Sequence, residues 1–159
     1  MDARIFEAGR LRVTRDPDEI HAALEKQLPI WVELQQKDHA CDVLLGQQLR
    51  LHTLTIEDIW ATRSQPKLED YDDYLYLILH GVSSTEAGAI HLTELDVVLG
   101  PHYVITHDPG GLVDPVRSEI ERQPRLLQKG PAWVAHAILD AAVDRYMPFI
   151  DDLDGQIER

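Results

Sequence analysis

Cysteine is almost missing from this 159-residue chain. Cys41 stands alone, so no internal disulfide can form, which fits a reducing compartment. Basic charge is scarce as well: Lys and Arg total 15 against 28 Asp and Glu, a formal net charge of −13. Such a surface repels nucleic acid and anionic lipid and favours cations or basic partners. Long apolar runs are also lacking. The best candidate for a membrane span, Ala132 to Ile150, is interrupted by His136, Asp140, Asp144, Arg145 and Pro148, which a bilayer core accepts only at high cost. Met1–Leu11 has no basic segment followed by an apolar one, so no signal peptide is read there. The chain is read as soluble.

The signatures of common enzymes are missing too. There is no Gly-rich phosphate loop, no Gly-x-Ser-x-Gly elbow and no His-Glu-x-x-His. Gly110-Gly111 follows an apolar run, but Pro109 before it and Asp114-Pro115 after it make a plain loop. We expect no enzyme. What is present is ordinary for a globular domain, with 44% hydrophobic and 27% charged residues, and the length supports one sizeable core.

Arg4–Phe6 and Leu11–Val13 flank Glu7-Ala8-Gly9-Arg10 and read as a short hairpin. Asp16 before Pro17, followed by Asp18 and Glu19, marks a helix start that runs to about Gln27. Ile30–Leu34 reads as a strand, and Asp38 caps a helix to about Gln47. Thr55 is read as the cap of a short helix to Ala61, with Asp58 at its third position, as in a capping box. Tyr74–Val82 reads as a buried strand, preceded by a solvated acidic turn, Glu69-Asp70-Tyr71-Asp72-Asp73. Leu92–Leu99 and Tyr103–Thr106, joined by Gly100-Pro101-His102, form a second hairpin. Helices open again at Asp114-Pro115 and at Pro131. The expected fold is therefore α/β, a mixed β-sheet flanked by helices.

The last helix keeps its apolar period through Val134, Ile138, Ala141, Ile150, Leu153 and Ile157, with a slip around Pro148. No Gly-type stop follows, so it reads as cut inside a longer helix.

Two acidic groups on helices are candidate sites. Glu57-Asp58 reads most simply as a capping device on a first helical turn. Its functional reading is a hard-cation site, because carboxylate oxygens suit magnesium, which keeps most of its waters. Adjacent helical residues diverge by about 100°, so the pair serves one ion only through water or with another chain. Asp140 and Asp144 lie four apart on one helix face, with His136 one turn earlier. A His-x3-Asp-x3-Asp row is a possible transition-metal arrangement; a solvated stripe is the simpler reading.

Taken with their neighbours, these carboxylates resemble those of a known family. Leu51–Ile59 (LHTLTIEDI) resembles the CorA segment written LHPLxxEDI, and Gln65–Leu75 (QPKLEDYDDYL) resembles its RPKxExYxxYL. Leu99–Thr106 (LGPHYVIT) is similar to the family's strand pair, and Leu139–Pro148 (LDAAVDRYMP) resembles LxDAxVDxYxP at the start of its stalk helix. Thr53 replaces the usual Pro and Gln65 the usual Arg, neither at a ligand position. The likeness covers roughly Trp31 to the end.

The resemblance implies an α/β/α sandwich, residues 1–130, followed by the start of a long stalk helix, 131–159, truncated before the transmembrane region. It implies the cytosolic metal-sensing domain of a magnesium or cobalt transporter, at the cytoplasmic face of the inner membrane and homopentameric in full length. Membrane contact is then made only through C-terminal helices outside this chain, which would also carry the Gly-Met-Asn pore signature. Regulatory Mg²⁺, with Co²⁺ or another divalent cation as alternatives, is expected at protomer interfaces. Glu57 and Asp58 match the acidic pair, Asp140 matches the acid opening the stalk motif, and Asp144 completes the candidate set. The competing readings are a zinc-transporting relative and a soluble metal-dependent enzyme.

Overall fold

The computed structural model describes residues 1–86 and 89–157. The first hairpin forms as its pattern predicts, with β1 (Asp2–Glu7) antiparallel to β2 (Arg10–Thr14). Its turn needs positive φ at both central residues, 50° at Ala8 and 78° at Gly9, and Gly meets that demand without steric cost. Helix α1 (Pro17–Glu25) starts where Asp16 accepts the Asp18 N–H at 2.9 Å, with Pro at the first helical position. It stops slightly before the expected Gln27, which itself takes φ 54°.

Strand β3 (Ile30–Leu34) is buried along its whole length. The next helix begins on its expected cap, the Asp38 carboxylate accepting from Cys41 N at 2.8 Å. It is α-helical only over α2 (His39–Asp42) and continues as π-helical turns, Val43–Gln48. There Leu49 N reaches back five residues to Leu44 O at 2.9 Å, and the adjacent Leu44 and Leu45 are both buried.

Helix α3 (Thr53–Ile59) leads through residues 60–66 into β4 (Lys67–Asp70), a strand where the sequence pattern predicts only an acidic turn. Pairing with β5 (Leu75–Glu86) supplies the ladder hydrogen bonds that composition alone does not reveal. Strands β5 and β6 (Ala89–Leu99) form a long hairpin, and β7 (Tyr103–His107) returns antiparallel to β6. The turn before β7 depends on Gly100, where a Cβ would lie 2.2 Å from the Tyr103 ring. Helix α4 (Asp114–Arg122), a 3₁₀ stretch (Pro124–Lys129), α5 (Pro131–Asp144) and α6 (Met147–Ile157) complete the chain.

One seven-stranded sheet results, ordered β2-β1-β3-β7-β6-β5-β4, with β3 and β7 parallel and the other neighbours antiparallel. Both faces are covered. Ile20, Ala23, Leu44, Leu45 and Ile59 from α1–α3 pack with Ile5, Val32, Tyr76, Ile78 and Ile105. On the other face Val116, Ile120, Val134 and Ile138 from α4 and α5 pack with Trp31, Leu95, Val97 and Val104. Side chains alternate along β5: Tyr76 and Ile78 enter the first core, while the half-buried Leu77 and Leu79 pack on the second. This is the expected α/β/α architecture. The slip read around Pro148 is a break at Arg145-Tyr146 that separates α5 from α6.

Candidate cation-binding surface

Helix α3 begins three residues earlier than its sequence suggests. His52 is the cap, its Nδ1 accepting the Leu54 N–H at 3.2 Å. Thr55 cannot cap, because its side chain is fully buried and its hydroxyl shares a 2.9 Å hydrogen bond with the Tyr74 hydroxyl. The same phenol oxygen accepts from His52 N at 3.0 Å, and the His52 ring stacks on Tyr71 at 5.5 Å. This Tyr74 anchor, formed across the intervening β4 segment, sets where the helix starts.

The shift changes the meaning of Glu57 and Asp58. They occupy the last turn of α3, where Trp60 N donates to Glu57 O and Ala61 N to Asp58 O. Carboxylates at that end oppose the helix dipole, so capping does not explain them. Glu57 is exposed and has no ion-pair partner among the described residues. Asp58 is half-buried, and its Oδ2 accepts from Lys67 Nζ at 2.6 Å. Lys67 is shared with Glu69 Oε2 at 3.0 Å and lies 5.6 Å from the Tyr76 ring centroid. Its hydrogen bond to Asp58 holds the Lys67 ammonium above its ordinary pKa, against a smaller opposing effect of burial. Among the described residues the surface thus has one free carboxylate, and a second whose only counter-charge is an exchangeable ammonium.

Asp140, Asp144 and His136 are exposed on α5, whose buried side presents Val134, Ala135, Ile138 and Ala142 to the second core. Helices α3 and α5 cover opposite faces of the sheet, so the two acidic pairs do not meet within one chain. Among the described residues no group of three or more His, Cys, Asp or Glu is placed to hold a metal. The His136-Asp140-Asp144 row is no such group. A site that uses both pairs needs a second copy of the chain.

Several charged residues emerge only in three dimensions. The α3–β4 loop is pinned at Ser64: its N–H donates to Glu94 Oε2 at 2.6 Å, and its carbonyl lies 2.9 Å from His80 Nε2. Nearby, Asp96 is buried, accepting the Tyr76 hydroxyl at 2.6 Å and lying 3.4 Å from His107 Nδ1, whose ring packs 5.1 Å from that of Trp60. Trp60, Glu94, Asp96 and His107 line a cavity of about 410 Å³. Burial raises the Asp96 carboxyl above its ordinary range, with the His107 and Tyr76 hydrogen bonds acting the other way. The sequence did hold a signal here, since Glu94 and Asp96 interrupt an apolar strand at the same parity.

A family model described as CorA-like Mg2+ transporter protein matches residues 26–159. The putative metal ion transporter YfjQ of Bacillus subtilis is 28% identical over 130 residues, covering 80% of this chain and 40% of that protein. The cobalt/magnesium transport protein CorA of Thermotoga maritima is 25% identical over 157 residues, covering 91% of this chain and 43% of the relative. The chain therefore spans less than half the length of these curated relatives. Among solved structures, the soluble domain of CorA from Methanocaldococcus jannaschii superposes with TM-score 0.74 at 15% identity, covering 99% of this chain and 62% of that one. The full-length CmaX protein gives 0.77 at 17% identity, covering 99% and 49%. At these identities the structural likeness shows the fold.

Proposed function

Because the chain belongs to the CorA-like Mg2+ transporter family, we propose that it is the metal-sensing regulatory domain of a magnesium or cobalt transporter. The observation that carries this reading is the charge arrangement on the last turn of α3: among the described residues Glu57 is unpaired and Asp58 pairs only with Lys67. No helix among the described residues is long and apolar enough to cross a membrane. We assign transport itself to the rest of the protein, this domain lying on the cytoplasmic side of the membrane, with 131–159 leading toward it.

The proposed mechanism follows from electrostatics. Copies of a chain with net charge −13 repel one another when packed closely. Two carboxylates about 4 Å apart cost about 4 kcal/mol at an effective dielectric of about 20. A divalent ion between them reverses that sign. Mg²⁺ approaching Asp58 competes with the Lys67 ammonium, and Lys67 retains Glu69 as its partner when displaced. Glu57 and Asp58 of one protomer and Asp140 and Asp144 of the next would hold the ion, largely through its waters. Occupancy then favours packed over splayed protomers of a homopentamer and so controls gating.

Sedimentation velocity in rising MgCl2 tests this. Association is expected to strengthen over about 10⁻⁴ to 10⁻³ M, the range of weak carboxylate sites. Glu57→Gln combined with Asp58→Asn should abolish the response while the circular dichroism stays unchanged. Tight stoichiometric magnesium binding to a monomer, measured by calorimetry, would contradict an interface site.

A further inference from the structure

The junction between α5 and α6 is tied to the same strand that holds the loop following the acidic pair. At the break, Tyr146 closes one helix and opens the next. Its N–H donates to Val143 O at 2.9 Å, and its carbonyl accepts from Phe149 N at 3.1 Å and Ile150 N at 3.0 Å. Its phenol crosses to the sheet and donates to the His80 carbonyl at 2.8 Å. The neighbouring Arg145 donates from Nη2 to Gly111 O at 2.5 Å. The start of α6 is therefore set by two hydrogen bonds to strand β5 and to the β7–α4 loop, in addition to its continuity with α5.

His80 has a second role. Its imidazole lies 2.9 Å from Ser64 O, while Glu94, its direct cross-strand partner, accepts from Ser64 N at 2.6 Å. Ser64 lies midway along the loop that connects α3 to β4. At one end of that loop, Trp60 and Ala61 bond back to the carbonyls of Glu57 and Asp58. At the other end, Lys67 bonds to the Asp58 side chain. One residue on a sheet strand thus receives the α6 anchor on its backbone and grips the loop with its side chain.

We propose that His80, Glu94 and Tyr146 are positioning residues that couple the Asp58–Lys67 loop to the orientation of α6. Taking Asp58 away from Lys67 removes the side-chain tie between the two ends of the loop, and the Ser64 grip on His80 and Glu94 then holds its middle. Strain in that grip falls on the β5 backbone at the carbonyl that anchors Tyr146. Two elements on opposite sides of the sheet then share one fixed point, and a bias on either reaches the other. The link rests on the sensing reading above for the event that moves it, while the contacts that carry it are made by this chain's own side chains and backbone.

Hydrogen–deuterium exchange of segments 60–66 and 147–151 in the full chain tests the link. In metal-free buffer, Tyr146→Phe should speed exchange of 147–151 and also of 60–66, each by about two- to tenfold, the factor carried by one net hydrogen bond. Glu94→Ala should act in reverse, speeding 60–66 directly and 147–151 through the strand. His80→Ala keeps the backbone carbonyl but removes the grip. In that background Tyr146→Phe should still speed 147–151 and leave 60–66 unchanged. A Tyr146→Phe effect confined to 147–151, or an equal effect on 60–66 with and without the His80 imidazole, overturns the link. If Tyr146→Phe does not fold, the Glu94→Ala arm decides alone, and no change at 147–151 overturns the link. Adding MgCl2 separates the two ideas. Cross-effects that persist while magnesium alters neither segment retain the link and remove the sensing reading.

Discussion

Two buried carboxylates, one on each face of the sheet, are stabilised in contrasting ways. Glu33 of β3 faces the α4–α5 layer and lies between two guanidinium groups: Arg4 Nη1 contacts its Oε1, and Arg117 donates from Nη2 to its Oε2 at 2.5 Å. Arg4 also reaches Glu121 at 2.7 Å, and Arg117 reaches Asp114 at 2.7 Å. Asp96 of β6 faces the α1–α3 layer with no arginine, held by a phenol and an imidazole. The first arrangement is a closed ion network stapling β1, β3 and α4. The second is a charge kept in the core by neutral or titratable donors, beside the loop that follows the acidic pair. Full ionic pairing marks the structural face, and incomplete pairing marks the face where the charge balance can change.

The largest effect should come from opening the closed network. Glu33→Ala leaves Arg4 and Arg117 without their shared partner, and Arg4 is only 5% exposed. A loss of about 3–5 kcal/mol is expected, read as a fall in the urea midpoint. If the midpoint barely moves, the network is not a staple and the contrast between the faces fails.

An intermediate effect is expected at Asp96. Tyr76→Phe removes a hydrogen bond to a buried carboxylate and should cost about 1.5–3 kcal/mol at neutral pH. The pH dependence carries the sign. The folded Asp96 pKa is raised, so between its ordinary and raised values the folded state holds the extra proton. Its contribution to stability is therefore greatest below the ordinary aspartate pKa and is lost as pH rises through the raised one. Asp96→Asn should flatten that downward slope in urea unfolding measured across acidic pH. An unchanged slope would mean that Asp96 is as well paired as Glu33.

The smallest effect should be at Asp58. Asp58→Asn breaks a bridge whose two side chains are about a third exposed, so about 0–1 kcal/mol of stability is at stake. Magnesium dependence should nonetheless change, with protection of 131–159 from proteolysis requiring more MgCl2 than in wild type. Unchanged protection would leave the Asp58–Lys67 pair as an ordinary surface bridge.

How far the sequence could be read depended on how local the deciding physics was. Asp16-Pro17, Asp38 and Asp114-Pro115 announced their helices, because a capping carboxylate (Asp16, Asp38) or a Pro in the first turn (Pro17, Pro115) acts within a few residues. The hairpins around Gly9 and Gly100 were legible because turn chemistry is local. Helix α3 was placed three residues late because Tyr74, distant in sequence, draws Thr55 inward and leaves the cap to His52. Strand β4 was hidden because its acidic side chains suit a turn and only pairing with β5 makes it a strand. His80 and His107 carry no local signal because their partners Ser64 and Asp96 lie more than ten residues away.

The amino-acid order alone determined the layered α/β class, its helix starts and turns, the strong negative charge and the acidic pairs, because propensity, patterning and composition need no partner across the fold. Tertiary structure alone decided which carboxylates are paired, which are buried and which remain free. Glu33, Asp58, Asp96 and Glu57 carry the same charged group. Their environments differ because the sheet register sets Arg4 and Arg117 around one, Lys67 beside another and Tyr76 with His107 on a third, and leaves the last facing water.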